Sequence, residues 1–392
     1  MTEVVLASAV RTPIGKYGKA LRDIPATRLG ALVVRAAIER AGLAASDVQE
    51  VIMGTAIAAG QGQAPARQAA LLAGVPEDVG AVTVNKVCAS GMKAVTIAFD
   101  AIRAGHESVV VAGAMESMSQ GPYLVKGARW GAKMGHQEFL DGMVYDGLQD
   151  AFANIHMGVT GDLVARKYGI TREAQDRFAL ESHARVVKAQ ESGKFRDEIV
   201  PVEVARDGEK VLFDRDEGVR PDTTLEKLAR LKPVFSADGT VTAGNASQLS
   251  DGASALVVMT RAEAEERGIE PLARIVDYAT SGVKPEDVME APIPTVRKLL
   301  QKTRLTVDDF DLIEHNEAYA SATLTMMQVL GFPHGKLNVH GGAVALGHPI
   351  GCSGARIITT LVHAMKDRGA ERGLATLCLG GGNGMALVVE RA

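Results

Sequence analysis

Cysteine is scarce in this chain, with three thiols in 392 residues, at positions 88, 352 and 378, and no C-x-x-C pair among them. A disulfide framework is thereby excluded and the paired spacing of a structural zinc site is missing, so no metal is expected and a reducing, cytoplasmic location is. Long hydrophobic runs are absent too. None approaches the ~20 apolar residues of a membrane helix, and the start Met1-Thr2-Glu3-Val4-Val5-Leu6 lacks the basic opening and apolar stretch of a secretion signal. No membrane role is expected. Nor is there an excess of positive charge: 43 Lys and Arg face 47 Asp and Glu, a net charge of −4, which argues against nucleic acid as a partner.

Glycine, by contrast, is abundant at 42 residues, several of them clustered after apolar runs, where backbone must turn sharply or approach a ligand closely. Length and a 46% hydrophobic content fit a soluble globular chain of two or three domains. Through residue 118, strand-like and helix-like segments alternate. Strands are predicted over 3–8, 48–56, 82–87 and 108–112, and helices over 27–41, 66–73 and 92–103. The C-terminal part repeats the rhythm, with strands at 272–278, 311–315, 374–379 and 385–389 and helices at 294–302, 321–330 and 353–367. Such alternation predicts α/β domains on a mostly parallel sheet. The two parts also echo each other: Cys88-Ala89-Ser90-Gly91 opens one helix and Gly351-Cys352-Ser353-Gly354 another, which suggests an internal duplication. Between them, residues 119–249 differ in composition and hold the single Trp130 and an amphipathic stretch over 171–190. This insertion is too long for a connection and is expected to be a subdomain over a site. The expected domains are therefore 1–118 completed by 250–270, an inserted 119–249, and 271–392.

The chemistry centres on Cys88, placed where a short β-like run breaks into a helix. The N–H groups and partial positive charge of a helix start stabilise a thiolate, the nucleophilic form of cysteine. A buried, inert cysteine is the competing explanation for any single thiol. His348, in the small-residue segment 342–351, is read as lying in a closely packed loop and supplies a possible base. Asn316 follows an apolar strand at its end, where α/β sheets collect functional groups. Cys378 precedes Leu379-Gly380-Gly381-Gly382-Asn383-Gly384, a run whose backbone N–H groups can reach a substrate oxygen unobstructed. Cys352 has no neighbouring base and reads as structural, while Met134, Met143 and Met157 are candidates to line an acyl pocket.

Taken together, Asn85-Lys86-Val87-Cys88-Ala89-Ser90-Gly91, the segments 338–354 and 373–384, Asn316-Glu317-Ala318 and His156-Met157-Gly158 resemble the thiolase family, and within it the short-chain biosynthetic members. The resemblance covers essentially the whole chain. It implies duplicated α/β domains in αβαβα layers with an inserted loop subdomain, and reversible condensation of two acetyl-CoA to acetoacetyl-CoA. It also implies roles. Cys88 would be acylated, His348 would activate it, Cys378 would serve as acid and base for the second substrate, and Asn316 would position an oxyanion-hole water. The backbone N–H groups of Cys88 and Gly380 would form a second oxyanion hole. Leu148, His156, Met157, Arg220, Phe235, Ala243 and Ser247, with Ala318 and Tyr319, match positions that contact coenzyme A, a substrate here with no tightly bound cofactor implied. Relatives form dimers or tetramers, and residues 121–142, with Trp130 and Met134, resemble the family's tetramerisation loop, so a homotetramer is expected.

Two departures bear on specificity. Many relatives have Phe where Tyr319 stands, and a Met-Gly-x-Gly-Pro turn where this chain reads Met289-Glu290-Ala291-Pro292. Thiolysis of longer or branched 3-oxoacyl-CoA is therefore the nearest alternative. A decarboxylating ketoacyl synthase would lack Cys378 in its Cys-Leu-Gly-Gly turn, and a non-catalytic CoA carrier would be expected to lose one of Cys88, His348 or Cys378.

Overall fold

The computed structural model describes residues 2–206 and 208–392; Met1, the first residue of the N-terminal segment read above, and Asp207 lie outside it. Nine long strands form the sheet: β1 Val4–Arg11, β2 Glu50–Gly54, β3 Gly80–Val84, β4 Val109–Ser117, β5 Ser250–Thr260, β6 Ala273–Gly282, β7 Leu312–His315, β8 Arg372–Leu379 and β9 Asn383–Glu390. A short pair, Gly15–Lys16, joins the edge of β5 as a tenth. Strand order is β7-β8-β9-β6-β1-β5-β4-β2-β3.

The pairing corrects the expectation of a mostly parallel sheet. Starting from β1, the neighbours β5 and β4 are antiparallel and β2 is parallel; starting from β6, β9 and β8 are antiparallel and β7 is parallel. The same sequence of directions thus occurs twice, as the echo in sequence suggested. Antiparallel pairs arise because β8 and β9 are joined by a tight hairpin, and because β5 returns between β1 and β4 only after the whole insertion. Those pairings are set by long-range contacts that local periodicity does not carry. A seam of only two residue pairs, Val5 with Arg274 and Leu6 with Ala273, links the two repeats.

Eight helices matter for the site: α1 Ala26–Arg40, α2 Pro65–Ala73, α3 Ser90–Arg103, α4 Met157–Tyr168, α5 Arg172–Glu191, α6 Pro292–Thr303, α7 Ala320–Leu330 and α8 Ser353–Arg368. Strand residues alternate between two hydrophobic clusters, which sets the layers. In β5, Leu256 and Val258 face α3 and α8, whereas Val257 and Met259 face α1 and α2. In β9, Leu387 and Val389 face α3 and α8, whereas Ala386 and Val388 face α6 and α7. Helices α3 and α8 therefore form the middle layer of an αβαβα stack. Burial on both faces explains why these strands read as continuous apolar runs rather than as alternating ones.

The two central helices meet closely at their first turns. A Cβ on Gly91 would lie 2.7 Å from the backbone N of Ala355, and one on Gly354 would lie 2.6 Å from that of Met92. Two equivalent glycines therefore let the two helix starts touch. Helices α4 and α5, from the segment between β4 and β5, pack on α7. Among the described residues, no helix is long and apolar enough to cross a membrane.

Candidate active site

After β3 the chain makes a tight turn into α3. Asn85 Nδ2 donates to Ala56 O at 3.1 Å and its Oδ1 accepts from Val87 N–H at 2.9 Å. Ser90 Oγ accepts from Lys86 N–H at 2.9 Å and donates to Val87 O at 2.7 Å. These bonds hold Val87 at φ 47°, a left-handed conformation that is unfavourable for a β-branched residue and is tolerated where surrounding structure enforces it. Cys88 follows directly, partly buried, two residues ahead of the helix. The expectation of a thiolate stabilised by the helix start needs correcting. Burial pushes the Cys88 thiol well above its usual range and the neighbouring Cys378 adds to the rise, while the N–H groups of Gly380 and of Cys88 itself pull weakly the other way. Burial thus favours the neutral thiol at Cys88.

His348 lies after a single helical turn, Ala343–Leu346, within the segment read from sequence as irregular. Its N–H donates to Gln248 O at 2.9 Å. The ring is fixed on both sides, with Nδ1 2.5 Å from Ser353 Oγ and Nε2 3.5 Å from Asn316 Nδ2. Burial, reinforced by the positive Arg356, lowers His348 to about 3, so the imidazole is neutral at physiological pH. Asn316 is fully buried at the end of β7, and its Oδ1 has no hydrogen-bond partner among the described residues.

Two buried carboxyls brace this loop. Glu116 accepts from Thr55 Oγ1 and from the N–H groups of Ala56, Ile57 and, at 2.7 Å, Gly351. Glu317 accepts from Ser182 Oγ, Asn338 Nδ2 and Val344 N–H. Each oxygen meets at least one donor, which offsets the cost of burying an acidic group. Burial still raises both groups above the usual carboxyl range against the pull of those bonds.

Cys378 is the penultimate residue of β8, buried, with Sγ 3.7 Å from Met289 Sδ; burial raises its thiol to about 12. The hairpin that follows places Gly381 and Gly382 at φ 79° and 77°, values that favour glycine. This turn brings Gly380 against Val87, whose Cγ1 lies 3.3 Å from where a Gly380 Cβ would be.

Cys88, His348, Cys378 and Gly380 all line one pocket of about 500 Å³. Asn316 is not among the lining residues, and its Nδ2 lies beside His348 Nε2. Every residue predicted to contact coenzyme A lines the same pocket: Leu148, His156, Met157, Arg220 and Phe235, then Ala243, Ser247, Ala318 and Tyr319. An aromatic wall is built from His156 stacked on Phe235 at 4.7 Å and Tyr319 edge-on to Phe235 at 6.2 Å. Gly158 makes room for it, since a Cβ there would sit 2.2 Å from the Phe235 ring. His156 Nδ1 accepts from Gly158 N–H at 3.0 Å and so caps α4. Backbone bonding ties the wall to the C-terminal half through Ser247 N–H to Ala318 O at 2.9 Å.

Of the three methionines expected in an acyl pocket, Met143 and Met157 line it. Met134 does not, being fully exposed at 104% on the loop between Tyr123–Leu124 and Leu140–Asp141. Cys352 is buried away from the pocket, in keeping with a structural role. Sequence reasoning missed Lys16, Tyr17 and Met118 on the pocket wall, and the bracing Glu116 and Ser353. An acid inside the apolar run 109–117 was the available signal for Glu116, and the echo of Ser90 was the signal for Ser353.

Two family models match the chain, "Thiolase, N-terminal domain" over residues 4–262 and "Thiolase, C-terminal domain" over residues 269–391. Over 392 residues, all of both chains, it is 52% identical to an acetyl-CoA acetyltransferase of Cupriavidus necator. A probable acetyl-CoA acyltransferase of Staphylococcus aureus is 50% identical, again over the full length of both. The crystal structure of the Bacillus anthracis acetyl-CoA acetyltransferase matches with a TM-score of 0.98 at 45% identity, covering 100% of this chain and 99% of that one.

Proposed function

Because this chain belongs to the thiolase family across both of its halves, we propose that its pocket joins two acetyl-CoA molecules into acetoacetyl-CoA and CoA, and runs the reverse thiolysis with the same groups. Full-length likeness to acetyl-CoA acetyltransferases supports this substrate pair. The observation that carries the residue roles is the convergence of two neutral thiols and one neutral imidazole on a single pocket.

In the first half-reaction, Cys88 Sγ attacks the thioester carbon and its proton passes to His348 Nε2. The bond to sulfur of coenzyme A breaks, and the departing thiolate takes the proton of Cys378. Its raised pKa keeps Cys378 protonated up to that step, and loss of the proton leaves Cys378 as a strongly basic thiolate. In the second half-reaction, that thiolate removes a proton from the methyl carbon of a new acetyl-CoA. The enolate attacks the acetyl carbon, Cys88 leaves, and the proton held by His348 returns to it. Protons balance over the cycle. Enolate charge would be held by protonated His348 and an Asn316-bound water, and tetrahedral charge by the N–H groups of Cys88 and Gly380; removing one such donor typically costs ~10²-fold in rate or more.

Arg220 would meet phosphate of coenzyme A, and Ser247 its pantetheine amide, with the aromatic wall alongside. Residues 119–249 would act as the subdomain covering the site, between an N-terminal half at 1–118 completed by 250–270 and a C-terminal half at 271–392. We also propose a cytoplasmic homotetramer without a tightly bound cofactor. Its assembly would use residues 121–142, where Trp130 is 83% exposed in the single chain.

The test is transfer of a labelled acetyl group. Cys88→Ser should abolish covalent incorporation, and Cys378→Ala should retain incorporation but fail to make acetoacetyl-CoA. Near-normal condensation by Cys378→Ala would sink the assignment.

A further inference from the structure

His348 can act as a base only if the lone pair is on the nitrogen that faces the pocket, and its neighbours decide which nitrogen that is. Ser353 Oγ has a single proton and donates it to Pro349 O at 3.0 Å. With that proton on the carbonyl, the same oxygen accepts from His348 Nδ1, 2.5 Å away. This pairing puts the hydrogen on Nδ1 and leaves Nε2 its lone pair. The opposite side of the ring agrees, because Nε2 faces an amide nitrogen of Asn316, a donor, at 3.5 Å. Both contacts are buried, so no solvent competes to reverse them.

We propose that Ser353 is a positioning residue that sets the tautomer of His348, and that the Gly351 N–H to Glu116 bond at 2.7 Å holds the turn carrying both. The inference rests on His348 being the base. When the ring takes the proton of Cys88, Nδ1–H already has its acceptor, so the imidazolium forms without leaving a buried donor unpaired. Orientation of a base by a third group through its other nitrogen is the general logic of nucleophile activation. Ser90 occupies the equivalent place in the other repeat, yet it receives a backbone N–H there, so the hydroxyl's use as an imidazole acceptor belongs to the C-terminal copy alone.

The experiment follows acetylation of Cys88 from acetyl-CoA in a single turnover at pH 7, read by mass spectrometry of the Cys88 peptide. Ser353→Ala should slow acetylation roughly 10²-fold with acetyl-CoA affinity unchanged, and Ser353→Thr should recover most of the rate. The double variant Ser353→Ala/His348→Ala should be no slower than His348→Ala alone, since the serine acts through the histidine. Losses that multiply would instead make Ser353 merely structural. If Ser353→Ala acetylates normally while His348→Ala is slow, the serine assignment falls and the base assignment stands. If His348→Ala itself acetylates normally, both fall. A check that needs no serine variant is the solid-state ¹⁵N spectrum of histidine-labelled protein, with the His348 signals identified by their loss in His348→Gln. Protonated Nδ1 is expected, and protonated Nε2 overturns the proposal.

Discussion

The turns that open α3 and α8 are built alike and carry different cargo. Each runs through a serine and then a glycine into a central helix, and each serine donates to a carbonyl just upstream, Val87 O in one case and Pro349 O in the other. Their second partners differ. Ser90 receives the N–H of Lys86 and so preserves the shape of a strained turn, whereas Ser353 receives an imidazole and so fixes where a proton resides. Duplication thus supplied one scaffold twice. Divergence at a few positions around it left Cys88 in one copy and His348 in the other, with both lining one pocket.

That comparison can be broken most severely at the glycines. Gly91→Ala and Gly354→Ala each place a methyl under 3.0 Å from backbone of the facing helix, and overpacking of this kind costs ~1–3 kcal/mol. Both substitutions should lower the denaturation midpoint and slow Cys88 acetylation by moving the helix starts apart. An unchanged midpoint in either would mean that the crossing is looser than the geometry requires. A smaller effect is expected from Ser90→Ala, which strands Lys86 N–H at a cost of ~1–2 kcal/mol, while Val87 O keeps the backbone N–H of residue 90. It should weaken stability and leave the tautomer of His348 alone; a change in that tautomer would erase the distinction between the two serines.

The smallest expected effect is of pH, and it tests the electrostatic side of the same comparison. His348 is lowered to about 3, below the ordinary 6.5, so it stays an unprotonated base as pH falls through the usual histidine range. Cys88 and Cys378 are raised, so neither thiol ionises on the way up to pH 9. Single-turnover acetylation should therefore vary by no more than about twofold between pH 5 and 9, without a histidine inflection. A clear loss of rate on acidification through pH 6.5 would show that the imidazole is solvated, contrary to its burial on the pocket wall.

Much of the site was legible because its chemistry sits beside glycine. Cys88, His348 and Cys378 occur in segments dense in glycine and other small residues, and Asn316 comes at a strand end. Strand order was not legible. Pairing β5 with β1 and β4 depends on contacts across the whole insertion, and an apolar run such as 250–260 looks the same whether its neighbours run parallel or antiparallel. The charge state of Cys88 also escaped the sequence. A helix start suggests a thiolate, but the balance is decided by desolvation, which depends on what packs around the sulfur from distant segments. Glu116 and Glu317 were hidden for a related reason, since an acid within an apolar run shows its purpose only when its donors are known.

The position of β5 has a consequence for how the protein is made. Strands β1 and β4 are complete once residue 117 has been synthesised, but the strand that pairs with both ends at Thr260. Until then a nascent chain carries two open sheet edges, the kind of surface that recruits other strands. Cys88 already exists at that stage, while His348 and Cys378 have yet to be translated. On the ribosome the growing chain therefore carries those open edges while Cys88 still lacks the residues that share its pocket.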